Sequence, residues 1–165
     1  MRLYLIRHAI AEERVPGGEG DDFDRALTPE GMRKMRRHVK ALVKLGAIPG
    51  EIWSSPLVRA RQTAEILAAG LGGSAKVRLV DALRPDQSPG DVLPQLGRSA
   101  HDSVALVGHE PLLGELAARL LSGRRTDVVE FKKGGAACFE VEEPKPPIHG
   151  RLLWLLTPKA MAEMA

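Results

Sequence analysis

Cysteine is all but missing from this chain of 165 residues: there is one, Cys138. A lone thiol forms no internal disulfide, so packing must hold the fold, and a reducing compartment, the cytoplasm, is the expected location. Cys138 falls in the strand-like run AACFEV (136–141), where packing is its expected role. Aromatic residues are scarce as well, at 4%. That leaves few platforms for stacking bases, and a nucleic-acid partner is not expected. No apolar run approaches the ~20 residues of a membrane helix, so no membrane association is expected either. A signal-peptide layout is absent, because only four apolar residues separate Arg2 from Arg7. Internal repeats, linkers and low-complexity tracts are missing too, which at this length predicts one domain over residues 1–165.

What the chain does contain is the composition of a soluble globular protein, 44% hydrophobic and 27% charged, with a net charge of +3. Much of the positive excess lies in RKMRRHVK (33–40), where Met32, Met35, Val39, Leu42 and Val43 recur at helical spacing. The cations there fill the solvated face of an amphipathic helix. Strand and helix signals alternate along the chain. RLYLI (2–6) is too short for a helix and apolar enough for a buried strand. An acid-rich, glycine-containing loop (12–27) follows. Thr28, Pro29 and Glu30 then supply an N-cap, a first-turn proline and an acid that suits the helix dipole. That helix runs to about Leu45, where Gly46 and Pro49 stop it.

EIWSS (51–55) reads as a second strand, with a helix from Pro56 to about Leu71. AKVRLV (75–80) and SVALVG (103–108) read as further strands, with a short helix near Gly90–Leu96 between them. Pro111 opens a helix that ends near Gly123. AACFEVEE (136–143) and GRLLWLLTP (150–158) read as two late strands joined by the proline-rich PKPPIHG (144–150). This alternation predicts an α/β fold, a three-layer α/β/α sandwich around a mostly parallel, mixed sheet.

In open α/β sheets, ligands bind beyond the carboxyl ends of the strands. Three strand ends here carry unusual residues. The first ends in Arg7-His8, the second leads to Arg59 in the first turn of its helix, and the fourth places His109 just before a helix. An arginine at the positive end of a helix is misplaced unless an anion lies between it and the amides, and phosphate is the commonest such anion. On dipole grounds alone, removing Arg59 should leave stability unchanged or raised. Each residue has a bland alternative: a strand ending at the surface, a satisfied core histidine, a neighbour of a helix cap. Together, in one crevice, they predict a phosphate site. Arg61 fits a supporting contact or an exposed helix position equally well.

The segments RHA (7–9), SSPLVRARQTA (54–64) and LVGHEP (106–111) resemble the histidine phosphatase superfamily. DRALTPEG (24–31) and LLWLLTP (152–158) narrow the likeness to the small SixA-type phosphohistidine phosphatases, over essentially the full length. The resemblance implies a phosphoglycerate mutase-like fold. His8 would be the nucleophile that becomes a covalent phosphohistidine, and it must be neutral to attack. Arg7 and Arg59 would grip the phosphoryl oxygens, and His109 would stabilise charge in the transition state. No metal or other cofactor is expected, because two histidines among arginines make a poor cation site.

Ala9 stands where the superfamily more often has glycine. A larger departure lies in VDALRPDQSPGD (80–91), where larger relatives carry a glutamate that protonates the leaving group and this chain has none. Asp81 and Asp86 are the nearest carboxylates, although turn formation explains them as easily. A missing acid and a short chain without lid-like insertions favour a protein carrying phosphohistidine as substrate. The alternatives are a phosphatase of small phosphate esters, with Asp81 or Asp86 as acid, and a non-catalytic phosphate-binding module. The oligomeric state is left open by the sequence.

Overall fold

Leu3, Tyr4, Leu5 and Ile6 are all buried, and a strand buried on both faces belongs in the middle of a sheet. In the computed structural model, which describes residues 1–14, 22–73, 75–123, 129–142 and 148–165, β1 (Arg2–Arg7) occupies that position. It pairs in parallel with β4 (Ser103–Gly108) and antiparallel with β5 (Ala136–Val141). With β2 (Glu51–Ser54), β3 (Lys76–Leu79) and β6 (Gly150–Leu156) the sheet order is β3-β2-β4-β1-β5-β6. The first four strands in that order run parallel, and β5 and β6 complete the sheet antiparallel.

Alternation along β1 divides the core in two. Leu3 and Leu5 point into a layer with α3 (Pro89–Leu96) and α4 (Leu112–Ser122), built from Val92, Leu96, Leu113 and Leu116. Tyr4 and Ile6 point into the opposite layer with α1 (Pro29–Lys44), α2 (Val58–Gly70) and α5 (Pro158–Met164), where Met35, Leu42, Leu67 and Met161 are buried. The expected α/β/α sandwich with a mixed sheet is what forms.

Local signals account for most boundaries. Thr28 caps α1, its side chain accepting the Gly31 N–H at 2.9 Å. The last helix and two 3-10 turns, one of them at Asp81–Leu83, went unforeseen in the sequence. Thr157-Pro158 ends the predicted last strand, but Thr157 also accepts the Ala160 N–H at 3.2 Å and starts α5. A 3-10 turn at Asp22–Asp24 interrupts what reads as plain loop. Part of that loop (15–21) and part of the PKPPIHG connection (143–147) lie outside the described residues. Cys138 is fully buried, as packing required. Among the described residues, no helix is long and apolar enough to cross a membrane.

The parallel part of the sheet aligns three strand ends. Arg7 is in register with Gly108, and Ser54 with Val107. One residue further on, the His8 N–H donates to the Gly108 carbonyl at 3.0 Å and the Ser55 N–H to the Val107 carbonyl at 2.9 Å. His8, Ser55 and His109 therefore emerge together at the carboxyl edge.

Candidate active site

The His8 and His109 rings lie 5.0 Å apart between centroids, with planes inclined at 53°. They are 5% and 2% exposed. His8 Nδ1 sits 2.7 Å from the Ala9 carbonyl oxygen. A carbonyl only accepts, so Nδ1 carries the proton and Nε2 keeps its lone pair. Burial, followed by the charges of Arg59, Arg7 and Lys133, lowers the His8 pKa to about 3, against the opposing pull of the Ala9 bond. At neutral pH His8 is an uncharged imidazole with a nucleophilic Nε2. His109 Nε2 lies 2.9 Å from Ser55 Oγ, while its Nδ1 is buried without a hydrogen-bond partner. Burial first, then His8 and Arg59, lowers the His109 pKa as well.

The two arginines reach the same place from different elements. Arg7 ends β1, and its Nη1 donates to the Phe131 carbonyl at 2.5 Å. Arg59 lies in the first turn of α2, whose N-terminus has no side-chain cap, and its side chain is 4% exposed. Arg59 Nη1 donates to the Asp22 carbonyl at 2.7 Å, and Nη2 to Asp22 Oδ2 at 3.0 Å. The dipole argument called for an anion at Arg59, and the protein supplies one of its own in Asp22. Arg25 Nε also donates to Asp22 Oδ1, at 2.8 Å. Burial raises the Asp22 pKa, but Arg59 and Arg25 outweigh it and hold the carboxyl below its usual range.

Asp22 takes the terminal edge of the Arg59 guanidinium. The Nε atoms of Arg7 and Arg59 are buried without partners, like His109 Nδ1. A buried donor left unbonded costs about 1–3 kcal/mol. Both arginines act electrostatically on His8, and guanidinium forks match the geometry of a tetrahedral oxyanion. Among the described residues no group of three histidines, cysteines or carboxylates converges as metal ligands do.

The other sequence candidates stand apart. Arg61 lies on the outer side of α2 and pairs with Glu65 at 3.6 Å, the exposed alternative of its two readings. Asp81 is exposed at the start of a 3-10 turn, and Asp86 is exposed and pairs with Arg84 at 3.6 Å. Neither bonds to His8, His109, Arg7 or Arg59 among the described residues. Sequence reasoning passed over Asp22, Arg25, Ser55, Glu110 and Lys133. Asp22 was one acid among many in its loop, whereas Arg25 and Ser55 sit inside the quoted segments DRALTPEG and SSPLVRARQTA. Thr63 adds a brace, its Oγ1 accepting the Ala9 N–H at 3.1 Å and donating to the Arg59 carbonyl at 2.7 Å.

Comparison with known proteins shows the family and the fold. The family model of the histidine phosphatase superfamily (branch 1) matches residues 3–85. An uncharacterized protein of Picosynechococcus sp. is 42% identical over 139 residues, 82% of each chain. Among solved structures, the protein histidine phosphatase SixA complexed with tungstate superposes with a TM-score of 0.81 at 26% identity, over 96% of this chain and 98% of its own. A mycobacterial glucosyl-3-phosphoglycerate phosphatase in complex with VO3 shares the fold, with a TM-score of 0.70 at 20% identity over 94% and 99% of the two chains.

Proposed function

The chain belongs to the histidine phosphatase superfamily and is a phosphatase of that kind; from this premise we propose that it hydrolyses phosphohistidine on a protein. His8 Nε2 attacks phosphorus, and the P–N bond of a phosphohistidine protonated on its other ring nitrogen breaks with its electron pair moving to the departing nitrogen, so that neutral imidazole leaves. Water then attacks the phosphorus held on His8, which leaves as neutral imidazole and releases inorganic phosphate. Arg7 and Arg59 grip the non-bridging oxygens. With the Ser55 O–H as donor to His109 Nε2, neutral His109 carries its single proton on Nδ1 and offers it to charge that develops on the phosphoryl group. The tungstate held by SixA and the vanadate held by the mycobacterial phosphatase are oxyanions that such a cradle suits.

One observation supports the substrate class. Among the described residues, Asp22 is the carboxylate hydrogen-bonded to this cluster, and two arginines keep it ionised. An ionised carboxylate cannot protonate a leaving group. Expelling an alkoxide, whose conjugate acid has a pKa on the order of 15, needs that proton. Expelling neutral imidazole, with a conjugate-acid pKa of about 6.5, from a phosphohistidine whose other ring nitrogen already holds a proton needs no further acid. The test is to quench the protein in alkaline denaturant during turnover of a phosphohistidine-bearing protein labelled on phosphorus, because phosphohistidine survives base and not acid. A label on His8, stable to base and lost in acid, supports the proposal. Phosphate release without such a species contradicts the mechanism, and binding without release identifies a non-catalytic module.

A further inference from the structure

Glu110 stands between His109 and Pro111, and nothing in the chemistry above uses it. Its carboxylate serves backbone on two sides. Oε1 accepts the Phe131 N–H at 2.7 Å, and Oε2 accepts the Gly114 N–H at 3.3 Å near the start of α4. The carbonyl of that same Phe131 receives Arg7 Nη1. One residue therefore links the carboxylate to the guanidinium, N–H on one side and C=O on the other.

The segment 129–135 wraps Arg7. The Arg7 N–H donates to the Gly135 carbonyl at 3.0 Å, and the Gly134 N–H donates to the carbonyls of Arg7 and His8 at 3.2 and 3.0 Å. The Gly135 end of the segment is fixed by this pairing with β1. Among the described residues the Phe131 end has no such ladder, and Glu110 ties it through the Phe131 N–H. The space around that tie is closed: a Cβ on Gly114 would lie 2.8 Å from Glu110 Oε2 and 2.4 Å from the Val129 carbonyl oxygen. The Phe131 ring, 1% exposed, anchors the segment in the core.

We propose that Glu110 is a positioning residue that holds the Phe131 peptide so that Arg7 presents its buried Nε edge to a phosphoryl oxygen. The proposal rests on the reading that Arg7 grips the phosphoryl group. A residue that merely closes the N-terminus of α4 would act on stability and leave oxyanion affinity to Arg7 unchanged.

Vanadate dissociation constants separate these roles in a double-mutant cycle, with thermal melts recorded for every variant. Glu110→Ala is expected to weaken vanadate about tenfold, the scale of a misaligned charge-assisted hydrogen bond. Glu110→Gln keeps an acceptor for the Phe131 N–H and should stay within about threefold of the parent. Arg7→Ala should weaken vanadate about 100-fold, and adding Glu110→Ala to it should cost less than about twofold more. Should the alanine variant not fold, Glu110→Asp, which keeps the charge but shortens the reach, replaces it under the same criteria. A folded Glu110→Ala variant, or Glu110→Asp in its place, with parental affinity overturns the inference, and so does an undiminished loss in the Arg7→Ala background. Parental affinity in Arg7→Ala itself overturns the underlying reading along with it.

Discussion

The two guanidiniums of the site are held by opposite means. The segment 129–135 holds Arg7 through a neutral backbone carbonyl, whereas the turn at Asp22–Asp24 holds Arg59 through a carboxylate. A carbonyl bonds Arg7 without a formal charge of its own, and among the described residues the carboxylates that act on Arg7, Glu110 and Glu130, do so without a hydrogen bond to it. A carboxylate 3.0 Å away offsets much of the charge of Arg59 and shares it with Arg25. The comparison implies a division of labour: Arg7 serves mainly to attract the oxyanion, and Arg59 shapes the pocket and ties α2 to the loop above it.

The largest effect expected does not touch either arginine. His8→Ala should reduce turnover by about 10⁴ or more with both holding segments intact, the scale seen when a nucleophile is lost. Activity within tenfold of the parent would remove the reason for comparing the arginines at all. His109→Ala should cost about 10²–10³ in kcat, the usual loss of one donor to developing negative charge.

The arginines themselves sharpen the contrast. Arg7→Ala should weaken vanadate about 100-fold and Arg59→Ala about tenfold. Stability should order them the other way. Arg59→Ala removes a buried guanidinium bonded twice to Asp22, at an expected cost of about 1–2 kcal/mol, so the dipole-based expectation of unchanged or raised stability does not survive the structure. Equal losses in affinity and in melting temperature for the two variants would dissolve the division of labour.

The fold also makes stability depend on pH. The folded pKa of His8, about 3, lies below its ordinary value of 6.5, so the unfolded chain binds the proton first as pH falls. Stability is then lost with decreasing pH from about 6.5 towards 3, amounting to about 2 kcal/mol from His8 by pH 5. Asp22 is depressed too and acts at lower pH, its contribution present above the ordinary carboxyl pKa and lost as pH falls through the folded value. Chemical denaturation at pH 8 and pH 5 should show His8→Gln losing less stability than the parent over that interval. Identical losses would mean that His8 is not held neutral by the fold.

The same contrast explains what was legible beforehand. Arg7, His8, Arg59 and His109 stood out because polar residues follow apolar runs at three aligned strand ends, a pattern that a sequence displays. Thr28 and Pro29 announced α1 for the same reason. What holds the arginines was hidden. The Phe131 carbonyl is main chain, and main chain has no letter of its own. Asp22 has a letter but lies among other acids, and its turn lacks any hydrophobic period. The start of α5 was legible in principle, since Thr157-Pro158 repeats the Thr28-Pro29 signal, but the preceding apolar strand masked it.

A substrate series ordered by leaving-group pKa tests the central claim most directly. It compares kcat/KM for a phosphohistidine protein, activated aryl phosphates and alkyl phosphates, in the parent and in Asp81→Asn and Asp86→Asn. General acid catalysis contributes ~10²–10⁴, so a protein without a placed acid should prefer phosphohistidine over alkyl phosphates by at least ~10², with aryl phosphates between and both variants unchanged. A flat dependence that steepens in one aspartate variant would contradict the account, name that aspartate as the acid and make small phosphate esters the substrates.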